Sequence, residues 1–447
     1  MCLWRHLLPA CCCLLLAGCG KKPKVQAPEP PSYWIWHRSS TLTPKETADL
    51  HRAGVLRVFW QVAECEWKNG RWAVTKISSP QPESESLTVT PVFRIKPGAA
   101  FLMDPASASR FVDEIRAWQG GLPSAEIQVD FDCPARLLGN YAAFLKTVGS
   151  GLAPSRISIT ALASWPGEPQ FKKLATTVSA LYPMFYDLEE DTPADVMAFR
   201  FQPIASRSVA SWLKKWEDCP TPWFAGLPNF ERVSLFSRTG KLIGHLRGWE
   251  PDAVFFHPYL TGKSLGNGVT LFSIDQPCRL NEYHLFPDQY LVHRMPDREI
   301  LQWMGEAALR HHASGLIYFA LPGPGIQATY TPIHLSSPHA TVDLTLEVSG
   351  NGSVVLTNKG PADLPDGFWT LTLKGQSGGD FRSASPQEFP RLSTPEDMPA
   401  EMATTLYLHF SRLRAEDSLK SGALLSHPEK VLWSIPNLIP ERPIRDK

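Results

Sequence analysis

The chain has 447 residues, and its 44 Lys and Arg residues balance 44 Asp and Glu residues. This balance argues against nucleic acid as a partner, because phosphate binding needs a concentrated basic surface. About 415 residues follow the first 32, too many for one hydrophobic core, so we expect at least two domains.

The N-terminal segment has the pattern of an export signal. Residues 1–18 contain one charge, Arg5, followed by an apolar run from Leu7 to Leu16 that is too short to cross a bilayer as a helix. No later segment has about 18 uninterrupted apolar residues, so no membrane-spanning helix is expected. The pattern predicts a signal peptide over residues 1–18 that is removed on export.

The end of this segment, Leu16-Ala17-Gly18-Cys19, resembles the bacterial lipobox. The resemblance implies cleavage before Cys19, lipid on its thiol, and an anchor in the cell envelope. Gly20 stands where an aspartate would imply retention in the inner membrane, which favours the outer membrane. Residues 19–32 are rich in Pro and Lys and are typical of a flexible tether. Ordinary secretory cleavage near Ala17 is the alternative.

Four cysteines remain in the exported part: Cys65, Cys133, Cys219 and Cys278. An oxidising compartment permits two disulfides, with three possible pairings, and four free buried thiols are the alternative. The spacing of these cysteines fits no zinc motif. We therefore expect neither a metal nor another cofactor.

Between residues 33 and 337, apolar segments alternate with helical patterns. Eight segments are predicted to be strands: Tyr33–His37, Val55–Val62, Leu87–Ile95, Ala125–Asp132, Arg156–Ala163, Leu181–Leu188, Trp223–Leu227 and Gly315–Leu321. Helices are predicted from Thr43 to Gly54 and over Pro105–Gln119, Ala135–Val148, Gln170–Ala180, Ser206–Trp216 and Asp297–His311, with a hairpin at Trp67–Ala73. Eight such units predict an α/β fold, a TIM-type (β/α)8 barrel, with a doubly wound sheet as the alternative. Residues 231–295 do not fit the repeat and are interpreted as an elaborated loop over the barrel mouth.

From about Ala340 the pattern changes to alternation of apolar and polar residues. Val342, Leu344, Leu346 and Val348 lie on one face, and a turn is predicted at Asn351-Gly352. Residues 338–447 are therefore predicted to form a small β-sandwich. We expect it to serve packing and spacing rather than ligand binding.

The candidate site comes from strand ends, because a TIM barrel builds its active site at the C-terminal ends of its strands. On the fourth strand Gln128, Asp130 and Asp132 alternate with apolar residues and share one face. Mutual repulsion would raise the pKa of one aspartate, as an acid beside a base requires. A structural pair bonded to Arg94 or to loop amides is the alternative.

Other predicted strand ends supply aromatic and polar side chains. The sixth strand ends at Tyr186 and Asp187, and the others contribute Trp36, His37, Glu64, Arg94 and Trp165. Aromatic rings beside carboxylates are typical of sugar sites, since rings stack on the apolar faces of pyranoses while acids contact hydroxyl groups. The pattern favours a glycan as ligand.

Two short motifs carry a family resemblance. Val129-Asp130-Phe131-Asp132 together with Met184-Phe185-Tyr186-Asp187 is similar to chitinase-like glycoside hydrolases of family eighteen. The resemblance implies that Asp130 and Asp132 match that family's aspartate ladder, and that Tyr186 and Asp187 match its substrate-binding pair. The family's catalytic Glu position is Pro134, which cannot act as an acid.

A broader pattern, from Tyr33-Trp34-Ile35-Trp36 through Gln128–Asp132, resembles an uncharacterised family of bacterial secreted proteins defined only as a domain of unknown function. That resemblance implies a hydrolase-like barrel with no established activity.

Two hypotheses follow. In the first, a membrane-tethered barrel acts on or binds a glycan. Asp130 and Asp132 are its candidate catalytic carboxylates, and Glu189 or Glu64 supplies the missing acid. Its candidate substrate-binding residues are Tyr186, Asp187, Trp36, His37, Arg94, Gln128 and Trp165. In the second, a non-catalytic envelope protein keeps the barrel as a binding or scaffolding module, which Pro134 favours. The sequence does not determine the oligomeric state.

Overall fold

The computed structural model describes residues 28–78, 87–120, 124–323, 327–337 and 339–444. The predicted signal peptide and Cys19 lie outside these residues. Within the described ranges, no helix combines the length and apolar character needed to span a bilayer.

The first part of the chain alternates strands and helices. In order, it contains β1 (Ser32–Ile35), α1 (Pro44–Arg52), β2 (Arg57–Lys68), β3 (Arg71–Lys76), β4 (Thr88–Ile95), α2 (Ser107–Gln119), β5 (Glu126–Asp130), α3 (Leu138–Leu152), β6 (Arg156–Leu162), α4 (Phe171–Ala175), β7 (Ala180–Met184), α5 (Pro193–Met197), α6 (Ala210–Trp216) and β8 (Phe224–Pro228). The predicted hairpin is the antiparallel pair β2–β3. Helix α1 begins as predicted, because Thr43 and Glu46 form a reciprocal capping box with Pro44 in the first turn.

Helix α4 is shorter than the predicted Gln170–Ala180. Thr176 and Thr177 follow it, and their hydroxyls donate to the carbonyls of Lys172 (3.0 Å) and Lys173 (2.8 Å). Such side-chain bonds compete with the helical backbone pattern. The chain then enters β7 directly.

Residues 231–295 form an ordered unit rather than an irregular loop. They contain β9 (Arg232–Ser237), β10 (Leu242–His245), α7 (Pro251–Phe255), β11 (Leu260–Gly266), β12 (Val269–Ile274), β13 (Cys278–Leu280), β14 (Tyr283–Leu285) and β15 (Gln289–Arg294). Five of these strands pair antiparallel in the order β10-β9-β15-β12-β11, with a core of their own that includes Val233, Phe255 and Leu291. The loop interpretation is wrong because the strands are short and closely spaced by turn residues, which hides their period. We call this unit the insertion sheet.

The barrel is completed by α8 (Arg298–Arg310), β16 (Gly315–Phe319) and α9 (Pro332–Ser336). Strand β1 pairs in parallel with both β16 and β2, so the eight parallel strands β1, β2, β4, β5, β6, β7, β8 and β16 close on themselves. This closure confirms the TIM-type barrel and excludes the doubly wound alternative. Strand β8 approaches β7 closely at Gly226, where a Cβ atom would lie 2.9 Å from the Pro183 carbonyl oxygen.

The C-terminal region forms the predicted β-sandwich. Its strands are β17 (Leu344–Val348), β18 (Ser353–Asn358), β19 (Trp369–Lys374), β20 (Arg391–Ser393), β21 (Thr405–Phe410), β22 (Ser418–Ala423), β23 (Leu432–Ile435) and β24 (Ile439–Pro443). They build two antiparallel sheets, β17-β18-β22 and β20-β21-β19-β23-β24, over one hydrophobic core. The predicted turn requires glycine, because Gly352 has a φ of +88° and a Cβ there would lie 2.2 Å from the Leu425 carbonyl oxygen.

The sandwich docks on the barrel through buried polar contacts. Asp363 accepts hydrogen bonds from the backbone N–H groups of Thr331 (2.6 Å) and Ala415 (2.7 Å). The His334 ring accepts a bond from the Asp363 N–H at 2.8 Å. Since these groups are withdrawn from water, the two domains are held in a fixed arrangement.

Cys65, Cys133, Cys219 and Cys278 are all free thiols, so the two-disulfide alternative is not the one this structure adopts. Burial raises the pKa of both Cys65 and Cys133 to about 12. These two thiols are therefore unreactive at neutral pH.

Candidate functional site

A cleft of about 500 Å³ opens at the C-terminal ends of the barrel strands. Six predicted site residues line it: Trp36, Arg94, Asp130, Asp132, Tyr186 and Asp187. The barrel brings them together because successive parallel strands deliver their C-terminal ends to one rim. We call this feature the barrel cleft.

Asp130 lies at the end of β5, deep in the barrel cleft. Its carboxylate accepts a 2.7 Å hydrogen bond from Thr160 Oγ1 on β6, and Arg94 Nε lies 3.8 Å from its Oδ2. Burial raises the pKa of Asp130 to about 6, with a contribution from Asp132, while the Thr160 bond and Arg94 oppose the shift. This carboxyl therefore exchanges a proton close to neutral pH.

Asp132 follows two residues later, at the exposed mouth of the barrel cleft. Partial desolvation raises its pKa, and the Arg94 guanidinium opposes that shift. Arg94 thus acts electrostatically on both aspartates while contacting Asp130 only loosely. The structure combines an open cleft with a weak ion pair, so the carboxylates are not sealed in a purely structural cluster.

Tyr186 follows β7 and forms one wall of the barrel cleft. Its ring stacks on Phe319 at 5.8 Å between centroids and meets Phe230 edge-on at 5.6 Å. Burial, followed by the charges of Asp130 and Asp187, raises the pKa of Tyr186 well above its usual range. The hydroxyl therefore stays protonated and can donate to a ligand.

Asp187 adopts a left-handed φ of 53° and forms a two-pronged ion pair with Arg232. The Arg232 Nη1 atom lies 2.9 Å from Asp187 Oδ1. Sequence reasoning missed Arg232, because it belongs to β9 of the insertion sheet rather than to a barrel strand end. The pair fixes the position of the Asp187 carboxylate.

Aromatic side chains line much of the barrel cleft. Trp36 is 5% exposed and meets Phe319 edge-on at 5.6 Å. Trp212 of α6 is half-buried, with Lys215 Nζ 4.0 Å above its ring. Trp212 and Phe319 were not predicted, because Trp212 comes from a helix and neither residue belongs to a sequence motif. The most accessible tryptophan of the cleft is therefore one that the strand-end rule does not find.

Trp165, predicted to be a stacking platform, is fully buried and meets Tyr141 edge-on in the core. Gln128 is also fully buried, and its side-chain oxygen accepts a 2.7 Å bond from Trp34 Nε1. Neither residue is available to a ligand. Both predictions require correction, because Trp165 turns inward after β6 and Gln128 lies one layer below the strand ends.

His37 is exposed but does not line the described cleft. Its backbone N–H donates to Gln61 Oε1 at 3.0 Å. Desolvation, then the charge of Arg94, lowers the pKa of its imidazole, which is therefore mainly neutral at neutral pH. His37 lies at the rim, where it can reach only a ligand that extends beyond the cleft.

The two predicted acids, Glu64 and Glu189, are not among the described residues that line the barrel cleft. Glu64 Oε2 lies 3.4 Å from Lys96 Nζ on the barrel rim. Glu189 lines a neighbouring cavity of about 450 Å³ between the β7–α5 loop and the insertion sheet. Glu64 stands two strands from Asp130 at the same level of the barrel, because Arg94 is the register partner of both.

This neighbouring cavity shares Tyr186, Asp187 and Leu188 with the barrel cleft, so the two form adjoining depressions. Arg294 on its wall is buried, pairs with Asp191, and packs against the rings of Phe201 and Phe236. Within the described residues, the His and carboxylate group that could hold a metal ion lies outside both cavities.

Residues 88–241 match the profile of a family described as Domain of unknown function (DUF3142). No curated protein matches the sequence. Similar solved structures include the spore cortex-lytic enzyme SleL of Bacillus megaterium QM B1551, at 12% identity over 68% of this chain and 71% of that chain with a TM-score of 0.44.

Two further structures are a glycoside hydrolase family 18 N-acetylglucosaminidase from Paenibacillus barengoltzii and the chitinase ChiW from Paenibacillus sp. str. FPU-7. The first is 10% identical over 65% of this chain and 94% of its own, with a TM-score of 0.42. The second is 11% identical over 92% of this chain and 54% of its own, with a TM-score of 0.49. Identities this low describe fold alone. The family match over residues 88–241 confirms the predicted resemblance to a domain of unknown function.

Proposed function

We propose that the protein binds a glycan in the barrel cleft. The observation that carries the proposal is the combination of aromatic rings and carboxylates around a cavity of about 500 Å³, a volume suited to a small ligand or to one or two sugar units. Trp212 and Phe319 offer ring surface. Asp132 accepts hydrogen bonds from sugar hydroxyls and the protonated Tyr186 donates one.

Binding fits the carboxylates better than hydrolysis. Glycosidic cleavage by the common route needs two free carboxyl groups in complementary roles. Asp187 is held by Arg232, Asp130 is bonded to Thr160, and position 134 is a proline. Asp132 is exposed and, unlike Asp187, has no ion pair among the described residues, which suffices to recognise hydroxyls but leaves the partner acid unassigned.

Hydrolysis is the second candidate, favoured by one observation. The pKa of Asp130 is raised to about 6 beside the second carboxylate of Asp132. An acid that exchanges its proton near neutral pH next to another carboxylate has the electrostatics of a general acid–base pair.

A binding experiment with a matched pair of variants tests the proposal. Trp212 and Trp303 are both half-buried helix tryptophans with a cation over the ring, but only Trp212 lines the barrel cleft. Calorimetric titration against a panel of bacterial and plant glycans should show binding that Trp212→Ala weakens and Trp303→Ala retains. Absence of binding to every glycan, or equal losses in both variants, would refute the proposal.

Release of reducing ends, measured on the same panel, separates the two candidates. Binding without release supports recognition alone. Release by the wild type that both Asp130→Asn and Asp132→Asn abolish would replace it with hydrolysis.

We also propose that the chain is an exported lipoprotein anchored at Cys19. The lipobox supports this proposal, and the fold does not bear on it. Cells fed a clickable fatty acid should label the wild type but not Cys19→Ala, and fractionation should place the labelled protein in the outer membrane. Equal labelling of the two proteins would contradict the anchor, and recovery in the inner membrane would contradict the location.

A further inference from the structure

Three polar side chains from distant segments meet where the insertion sheet contacts the sandwich. Glu231 precedes β9, His293 lies on β15, and Asp366 precedes β19. His293 Nε2 is 3.2 Å from Glu231 Oε2 and 3.6 Å from Asp366 Oδ2, and the three side chains are at most 1% exposed. One ligand atom from each lies within 4.8 Å of the other two. We call this group the junction cluster.

Arg412 contacts the far side of both carboxylates. Its Nη2 donates to Glu231 Oε1 at 2.7 Å and its Nε donates to Asp366 Oδ1 at 2.5 Å. The two remaining oxygens, Glu231 Oε2 and Asp366 Oδ2, are left on the side of His293. The guanidinium thus orients the carboxylates without occupying the space between them and the imidazole.

One of these oxygens lacks a partner. Among the described residues, Asp366 Oδ2 has no hydrogen-bond donor although the side chain is fully buried. The rings of Trp249 and Phe255 meet the His293 ring edge-on at 5.5 and 5.2 Å and form an apolar wall. A buried carboxylate oxygen without a donor is costly. Burial and the charge of Glu231 raise the pKa of Asp366 well above its usual range, so a proton satisfies this carboxyl unless a cation displaces it.

We propose that Glu231, His293 and Asp366 bind a divalent transition-metal ion of the zinc class, which fastens the insertion sheet to the sandwich. Tetrahedral zinc with bonds of about 2.0–2.1 Å places neighbouring ligand atoms about 3.3 Å apart, and the two distances from His293 Nε2 are 3.2 and 3.6 Å. Imidazole with carboxylates suits zinc.

The assignment rests on geometry rather than on net charge. Arg412 contacts both carboxylates, and Arg414 also interacts with their charges. In other proteins, hydrogen bonds from groups around the metal ligands orient the metal-binding carboxylates. Arg412 donates such hydrogen bonds here. Sequence patterns could not indicate the site, since Glu231 and His293 alone are 62 residues apart.

The experiment measures zinc in the full-length protein, purified in detergent, after incubation with zinc and gel filtration. His293→Gln and Asp366→Asn should each hold one zinc ion fewer per chain than the wild type. His334→Gln is the matched control, because His334 is also buried beside a carboxylate, Asp363, but has no second carboxylate in its cluster. It should hold as much zinc as the wild type. A chelator should lower the melting temperature of the wild type and the control but not of the two cluster variants.

Cobalt binding to the wild type decides the matter if the cluster variants fail to fold. Tetrahedral Co²⁺ with nitrogen and oxygen ligands gives intense visible bands without the near-ultraviolet charge-transfer band of cysteine thiolates. Such a spectrum, displaced by zinc, would support the site. A wild type that shows no such bands and keeps its melting temperature in excess zinc or chelator would overturn it.

Discussion

The barrel cleft and the junction cluster are built from the same kinds of groups and differ in their access to water. In each, an arginine contacts at least one of two carboxylates. In the cleft, Arg94 is 35% exposed and lies 3.8 Å from Asp130, whereas Arg412 is 14% exposed and bonds to both carboxylates at 2.5–2.7 Å. A loosely paired, solvated cluster can accept a ligand from solution, and a tight, dry one holds domains together.

Replacing the arginine of each site should give the largest difference between the two sites. Arg412→Ala leaves two carboxylates buried without their cation, and we expect it to destabilise the protein by about 3–5 kcal/mol. Arg94→Ala should cost about 1 kcal/mol or less, because water replaces the exposed guanidinium. The midpoints of guanidinium chloride unfolding of both variants measure the difference in stability. Similar losses would show that the two clusters play the same structural role.

The second largest effect is a pH dependence of folding stability that arises from Asp130 in the barrel cleft. Its folded pKa of about 6 lies above the ordinary 3.8, so the fold binds a proton more tightly than the unfolded chain between these values. Wild-type stability should therefore fall as the pH rises from about 4 to 6, by at most about 3 kcal/mol from this group.

Asp130→Asn should remove that part of the slope and become relatively more stable above pH 6. Denaturant titrations from pH 4 to 8 compare the two proteins. Parallel curves for wild type and variant would mean that Asp130 is not the titrating group.

Glycan affinity should respond to a substitution in the barrel cleft and not to one at an exposed ion pair outside it. Asp132→Asn should weaken glycan binding about tenfold, or about 1.4 kcal/mol, because it removes a charged acceptor. Arg52→Ala, which removes an exposed ion pair with Glu416 at the barrel–sandwich boundary, should leave affinity unchanged. Dissociation constants measured by calorimetry test this prediction. An unchanged affinity in Asp132→Asn would mean that the glycan binds elsewhere.

The smallest expected effect concerns stability at that exposed pair. Arg52 and Glu416 are 49% and 40% exposed, so Arg52→Ala should change the free energy of unfolding by about 0.5 kcal/mol. A loss as large as that of Arg412→Ala would show that the domains are joined by surface charges rather than by the junction cluster.

The spacing of apolar residues along each strand explains which elements could be predicted from the sequence. All eight barrel strands and the strand around Leu346 were found because alternating or continuous apolar runs report directly on burial. Asp130, Asp132, Tyr186 and Asp187 were placed in one cleft because parallel strands deliver their ends to one rim.

The missed features depend on contacts between distant segments. Arg232 reaches Asp187 from the insertion sheet, and Trp212 reaches the cleft from a helix. Trp165 follows a strand as predicted but turns into the core, a direction that its position in sequence does not encode. The junction cluster joins three segments that only the folded chain brings together.

The most direct measurement of the central claim is a crystal structure of the protein soaked with the glycan that binds most tightly. We predict sugar density in the barrel cleft, against the Trp212 ring and within hydrogen-bonding distance of Asp132 and the Tyr186 hydroxyl. Density on the sandwich or elsewhere on the surface, with an empty cleft, would contradict the account.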